Sequence, residues 1–312
     1  MNVSRAFAPG TVANVGPGLD ILGLALSGAG DVVTAFPAPG EGLVLRCSGH
    51  SELSLDPERN TAGIAAAAVC RKAGATGTGI TLDVVKGLPL SGGQGGSAAS
   101  AVAAAFAVNA FLGSPLSRAE LLEPCLEAEE AVSGRHGDNV APALFGGVVL
   151  VRSLDPPDVV RLRWPPGLLV VLAEPEQRLS TGEARSRLPD MVRRETAISQ
   201  AANVGALVAA LSSGDFALLR RSVEDRIAEP VRAALLPGFV EAKAAALDAG
   251  AFGCSISGSG PAAFAFADGP ESAERISSAM RDAYTARGIV ARFRAAAVDG
   301  EGARLLTPQE RA

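Results

Sequence analysis

The chain has 312 residues, 48% of them hydrophobic, 20% charged and only 4% aromatic, with a formal net charge of −5. It is too apolar and too weakly charged for a disordered chain, and long enough for one large domain or two of roughly 150 residues. Only Lys72, Lys86 and Lys243 stand among its 28 basic residues and none follows a glycine loop, which excludes a lysine-ended Walker-type loop, while the absence of any basic run argues against an electrostatic nucleic-acid binder.

In chain order, Val3–Phe7, Asp31–Phe36, Gly42–Cys47 and Gly79–Val85 read as short strands bounded by glycine and proline. Asn60–Ala73 reads as a helix ending at Gly74, and Ser97–Leu112 as a stronger one stopped by Gly113. Ser117-x-x-Glu120 is a capping box for a third helix reaching about Val132, and Pro124 inside it predicts a shifted start or a kink. Gly147–Arg152 follows as a strand. Asp155–Pro166, with four prolines, marks a crossing between halves, expected at 1–160 and 161–312, and leaves Val159–Arg163 open to an edge strand. Leu168–Ala173 is an apolar strand, followed by helices at about Glu195–Leu211, Asp215–Ile227 and Gly238–Ala249. Cys254–Ser257 and Ala262–Ala267 flank a tight loop, and a helix at Glu271–Arg287 and a strand at Val290–Ala297 close the chain. Strands mixed with helices without strict βαβ order favour α+β over a doubly wound sheet.

Cys47, Cys70, Cys125 and Cys254 lie far apart, a spacing that suits free thiols in a reducing cytosol better than disulfides or a zinc site. His50 and His136 are too few for a histidine-rich metal centre. The N-terminal residues lack the basic start and apolar core of a signal peptide, and the alanine-rich Ser97–Leu112 is too short to span a bilayer. A cytoplasmic protein with neither nucleic-acid nor membrane partner is expected.

The most informative segment runs from Pro89 to Ser100, where a strand leads through four glycines directly into a helix. Glycines admit close backbone approach and positive φ, and a helix start adds unpaired N–H groups and about half a positive charge. Such a loop cradles phosphate without lysine. The alternative is a flexible turn before a helix. Gly93-x-Gly95-x-x-Ala98 also matches a dinucleotide fingerprint, but the next acid is Glu120, inside the capping box, where the fingerprint wants a strand end. No serine here sits in Gly-x-Ser-x-Gly, so a serine hydrolase is not indicated.

Pro-x3-Gly-x-Gly-x-Ser-Ala, from Pro89 to Ala98, resembles the phosphate-binding motif of the GHMP kinases. Ala8–Asn14 with Gly18–Asp20 is similar to that family's first motif, and Ser257–Pro261 to its third. His136–Gly147, Ser180–Arg185, and Glu229–Arg232 with Leu236–Phe239 are similar to homoserine kinases in particular. Gln94 and Gly96 depart from the leucine and serine usual at those places in the loop.

The resemblance implies a two-part α+β fold, with a ribosomal-S5-domain-2-like N-terminal half and a ferredoxin-like C-terminal half. It implies transfer of the γ-phosphoryl group of ATP to the side-chain hydroxyl of L-homoserine. Pro89, Leu90, Ser91, Gly92, Gly93, Gln94, Gly95, Gly96, Ser97, Ala98 and Ala99, together with Asn60, are then the nucleotide residues. Ser97 and Glu129 would hold Mg²⁺, oxygen ligands as that ion requires. By themselves, Glu129 reads as one acid on a solvated helix face and Asn60 as a helix N-cap. Asp20 would take the substrate ammonium beside Asn14, and Arg185 and Arg232 would grip its carboxylate, although an isolated arginine is usually a surface charge. Asn139 and Thr181 belong to the hydroxyl end of the substrate site, with Gly258 beside the substrate. Asn139, Ser97 and Glu129 are the expected catalytic set, acting without a dedicated base, while His136 and Asp138 are equally read as structural. A non-catalytic amino-acid sensor or a kinase for another hydroxylated metabolite are the competing readings. Homodimers occur in the family.

Overall fold

The computed structural model describes residues 3–307. β1 (Ser4–Ala13) and β2 (Leu22–Pro37) form a long antiparallel pair whose register shifts at Pro9/Gly10. Both strands extend well beyond the expected segments, because the apolar residues Val12, Leu22, Leu24 and Leu26 are fully buried and prolong the ladder toward the Asn14–Asp20 turn. β3 (Leu43–Ser48) leads to α1 (Thr61–Lys72) and then to β4 (Ile80–Val85), which runs parallel to β3 and antiparallel to β2. α2 (Gly96–Phe111) lies under the sheet beside α1, and its alanines 98, 99, 101, 103, 104, 105 and 107 are all fully buried. Small side chains let the helix axes and the sheet approach closely, which is why this helix is alanine-rich on every side.

α3 (Leu122–Ser133) starts after the capping box rather than inside it. Ser117 and Glu120 do exchange the expected bonds, but Pro124 is tolerated only in a first turn, so the helix begins at Leu122. α4 (Val140–Phe145), a short helix that opens at Asn139 with no side-chain cap, precedes β5 (Val148–Leu154), and the edge strand β6 (Pro157–Leu162) pairs with β5. The expected division at 160/161 falls inside β6.

The second half begins with β7 (Leu169–Pro175) and continues through α5 (Thr181–Ser186), α6 (Arg194–Ser213), α7 (Phe216–Ser222), α8 (Glu229–Arg232) and α9 (Phe239–Asp248). The helix expected at Asp215–Ile227 stops at Ser222, and further on the Arg226 N–H turns to Gln200 Oε1 while those of Ile227 and Ala228 turn onto the Asp225 carboxylate. β8 (Cys254–Ile256), β9 (Ala263–Ala267), α10 (Pro270–Ala286), β10 (Ala291–Ala297) and β11 (Arg304–Leu305) complete the described chain. The second sheet is antiparallel in the order β10-β7-β9-β8, whereas β11 returns to pair with β1 of the first sheet.

Strand alternation gives the second sheet two apolar faces. Val171, Ala173 and Ala265 pack on α9 and α10. Val170, Leu172, Phe264 and Phe266 meet Leu24, Leu26 and α6, so one core joins the two halves. The functional cleft lies where they meet.

Candidate active site

The cleft has a volume of about 520 Å³, and most residues singled out in the sequence line it. Its floor is the glycine loop. Gly95 caps α2 in the left-handed conformation (φ 65°) and offers no side chain, so the first N–H groups of the helix meet no local acceptor. The loop is held from beneath by its carbonyls: Gly93 O accepts from Ser257 Oγ at 2.5 Å, and Gln94 O accepts from the Thr11 N–H at 3.0 Å. In a trans peptide the N–H points opposite the carbonyl, so the N–H groups of Gln94 and Gly95 are turned away from these anchors. Neither Gly93 nor Gly95 has room for a side chain. A Cβ on Gly95 would sit 2.0 Å from Thr11 Oγ1 and 2.7 Å from Asn139 Oδ1.

Three of the expected nucleotide residues do not line the cleft. Ala98 and Ala99 are fully buried in the core, and the Gln94 side chain turns away to accept from Arg294 Nη2 at 2.7 Å. Asn60 lines the cleft but commits its side chain to capping: Oδ1 accepts from Ala62 N–H at 3.0 Å and Nδ2 donates to Ser54 O at 2.8 Å.

Sequence reasoning missed a lysine here. Lys86, just before the loop, is buried and ion-paired with Asp31, and its Nζ also donates to Gly96 O (2.8 Å) and Ser100 Oγ (2.9 Å). Asp31 accepts in addition from Gly87 N–H at 3.0 Å and from Ser100 Oγ at 2.6 Å. The knot ties the end of β4 to the first turn of α2 and so braces the loop between them. Its only signal in the sequence was a rare lysine three residues before Pro89.

Ser97, in the first turn of α2, donates to Glu129 Oε2 at 3.0 Å, and Ser133 Oγ bonds Glu129 Oε1 at 2.5 Å. Glu129 is 4% exposed, and burial pushes its carboxyl pKa up, with the two hydroxyls opposing the shift. The expected solvated face is therefore not what α3 presents at Glu129. A buried carboxylate whose only partners are hydroxyls offers the oxygen donors that a hard divalent cation takes.

Across the cleft, Asn139 precedes α4, and its Oδ1 accepts from the fully buried Thr11 hydroxyl at 2.6 Å. Thr11 was not singled out by the sequence. With Oδ1 so occupied, the amide turns its N–H₂ donor end elsewhere.

The remaining wall is charged. Arg185 on α5 holds Asp20 with both terminal nitrogens, at 3.1 and 2.7 Å. Burial alone would raise the Asp20 carboxyl, but the Arg185 hydrogen bonds and nearby positive charges hold it below the usual carboxylate range. His136 Nδ1 lies 3.6 Å from Asp20, and burial lowers its pKa despite that acid. Arg232 on α8 is 3% exposed and donates to Gly258 O at 3.1 Å, the same carbonyl that accepts from Asn14 Nδ2 at 2.7 Å. Asn14 Oδ1 in turn accepts from the Asp20 N–H at 3.0 Å. The Nε groups of Arg185 and Arg232 are buried without a partner. Asp138 is fully buried, accepts from Asn14 N–H at 3.1 Å, and is pushed up to about 7 by burial and by the Asp20 charge. Thr181 lines the cleft at the exposed start of α5. Two acids, Asp20 and the buried Asp138, and two arginines thus share a wall facing a loop of open N–H groups. Among the described residues, no helix is long and apolar enough to cross a membrane.

Residues 60–147 match the model of the GHMP kinases N-terminal domain, and residues 207–286 match that of the GHMP kinases C-terminal domain. The chain is 42% identical to a homoserine kinase of Chlorobium phaeovibrioides, over 98% of this chain and all of that one. It is 43% identical to a homoserine kinase of Arabidopsis thaliana, over 98% of this chain and 85% of that one. The crystal structure of a homoserine kinase from Cytophaga hutchinsonii superposes with a TM-score of 0.94 at 40% identity, covering 98% of both chains. With both family models matched in order and such relatives similar over 98% of this chain, the chain belongs to the GHMP kinase family.

Proposed function

We propose that the cleft transfers the γ-phosphoryl group of ATP to the side-chain hydroxyl of L-homoserine, giving O-phospho-L-homoserine for threonine biosynthesis. The observation that carries this reading is the pairing of a helix-start phosphate loop with a wall bearing Asp20, Arg185 and Arg232 in one cavity. A sugar or an isoprenoid acid has no ammonium for Asp20, whereas an α-amino acid satisfies the acid and both arginines together.

In this reading residues 1–160 supply the nucleotide site, and residues 161–312 bring Arg185 and Arg232 to the substrate. The ligand-free Arg185–Asp20 pair opens as the amino acid enters: its ammonium replaces the guanidinium on Asp20, and its carboxylate takes the freed Arg185 with the unpaired Nε of Arg232. Asn14 and the Gly258 carbonyl frame the ammonium side, and Thr181 closes the far end. Ser97 and Glu129 would hold Mg²⁺, which when bound neutralises phosphate charge. The N–H groups of the loop and of the first turn of α2 supply the rest of that neutralisation. Asn139 acts as a hydrogen-bond donor toward the reacting oxygens. A base is not what it provides, since its oxygen is held by Thr11. Phosphoryl transfer through a loose transition state depends on positioning more than on proton abstraction.

The test is ADP release from Mg-ATP with homoserine, serine, threonine, mevalonate and galactose side by side. Turnover highest with L-homoserine is expected; a preference for mevalonate or galactose refutes the reading. Binding of homoserine without ADP release would make the protein a sensor.

A further inference from the structure

Gln200 lies on α6 and takes no part in the chemistry above, yet it is 6% exposed and every polar group of its amide is used. Nε2 donates to Pro17 O at 2.8 Å and to Asp225 Oδ1 at 2.9 Å, and Oε1 accepts from Arg226 N–H at 2.8 Å. Asp225, 7% exposed, spends its remaining capacity on backbone. Oδ1 accepts from the N–H groups of Ile227 (2.9 Å) and Ala228 (3.0 Å), and Oδ2 from that of Glu229 (2.9 Å).

This knot joins the two segments that carry the opposed charges of the cleft. Pro17 stands three residues before Asp20 in the turn between β1 and β2. Ala228 and Glu229 open α8, the four-residue helix that ends at Arg232. So short a helix has no stability or direction of its own and takes both from what holds its ends. The turn is pressed onto the same region, since a Cβ on Gly16 would lie 3.0 Å from Val223 Cγ1.

We infer that Gln200, acting through Asp225, is a positioning residue that fixes the separation of the Asp20 carboxylate and the Arg232 guanidinium, and so sets the length of zwitterion the cleft accepts. The inference rests on the reading of Asp20 and Arg232 as receptors for ammonium and carboxylate. An α-amino acid carries both charges on one carbon, and a β-amino acid sets them one carbon further apart. A rigid gap discriminates between the two; a loose one does so less. Asn14 and Arg232 remain joined through Gly258 O when Gln200 is changed, so both segments stay at the cleft while their spacing relaxes.

The experiment compares Gln200→Met, which keeps length without hydrogen bonds, Asp225→Asn, a milder loosening of the same knot, and Arg232→Lys. Steady-state constants are measured for ATP, for L-homoserine and for its isomer 3-amino-4-hydroxybutanoate, as substrate or competitor. In Gln200→Met the KM for L-homoserine is expected to rise about tenfold, the order of effect of unpairing a buried hydrogen-bonded group. The KM for ATP stays within about twofold and selectivity against the isomer falls, while Asp225→Asn gives the same pattern more weakly. Unchanged selectivity in both variants overturns the inference, as does an equal rise in both KM values with a lower unfolding temperature, which marks a merely structural knot. Should Gln200→Met not fold, Asp225→Asn decides alone by the same criteria. If Arg232→Lys leaves the homoserine KM unchanged, the underlying substrate reading falls. If it raises that KM while the other variants act normally, only the inference falls.

Discussion

Replacing Thr11 by valine removes one hydroxyl and almost no volume from a fully buried position. What it removes is the 2.6 Å bond that holds Asn139 Oδ1. An acceptor stripped of its donor in this part-buried setting costs up to about 1–3 kcal/mol. If the reacting complex needs the amide held with its N–H₂ toward the cleft, that energy appears in the barrier and lowers kcat about 5- to 150-fold. Binding of ATP should change little, because the Thr11 N–H that anchors Gln94 O belongs to the backbone and survives the substitution. Coupled ADP-release kinetics at saturating homoserine and saturating ATP give kcat, and titrating each in turn gives the two KM values. Thr11→Ser, which keeps the hydroxyl, is expected to retain most of the rate. A Thr11→Val enzyme within about twofold of the parent kcat, or a serine variant as slow as the valine one, refutes the assignment of Asn139 as an oriented donor.

Three other substitutions test separate parts of the site. Glu129→Gln should abolish the gain in unfolding temperature that Mg²⁺ gives the parent, and should not destabilise the protein in EDTA, because a buried carboxylate with hydroxyl partners but no counter-charge is removed; thermal scans with and without Mg²⁺ decide this. Lys86→Met strands the Asp31 carboxylate in the interior and should cost about 3–5 kcal/mol in urea unfolding, and a loss under about 1 kcal/mol contradicts the bracing role. Asp138 titrates near 7 when folded, against an ordinary value of 3.8. Between those values the folded state keeps a proton the unfolded chain has lost, so this group erodes stability as pH rises across that window and adds no further loss above it. Asp138→Asn should therefore gain in unfolding temperature relative to the parent from pH 5 to pH 8, and a difference that does not vary with pH rules this out.

The parts of the site legible in the sequence were those encoded locally. Glycines running into an alanine helix announced α2 and the uncapped turn that opens it, and Asn60 announced the start of α1, where it does cap. The lengths of β1 and β2 were not legible, because Gly10, Gly23 and Gly30 interrupt the alternation that marks a strand, yet at Gly23 and Gly30 neighbouring backbone leaves no room for a Cβ. The Lys86–Asp31 and Thr11–Asn139 contacts bridge 55 and 128 residues, and nothing in a pattern of spacing points from one partner to the other. Scarce lysine was read as an exclusion, and rightly for a Walker-type loop; Lys86 braces the loop from below instead. The fate of Gln94 was hidden for a similar reason, since its partner Arg294 comes from the last long strand. Asp20 and Arg185 were singled out only through family likeness, for opposite ends of a substrate, and their pairing with each other was not legible because each taken singly looks like surface.

The return of β11 to the edge of β1 bears on the order in which the molecule can be made. Ala6 and Phe7 pair with Leu305 and Arg304, and Arg118 clasps the carbonyls of Glu301 and Ala303 at 2.8 Å. A nascent chain that has emerged only as far as β6 has every residue of the glycine loop, but β1 still shows one bare edge, open to pairing with a neighbouring chain. That strand carries Thr11, whose amide holds the loop and whose hydroxyl holds Asn139. The strand that anchors the glycine loop therefore acquires its last lateral support only when residues near 305 leave the ribosome, so a change in β11 reaches the cleft through a single strand.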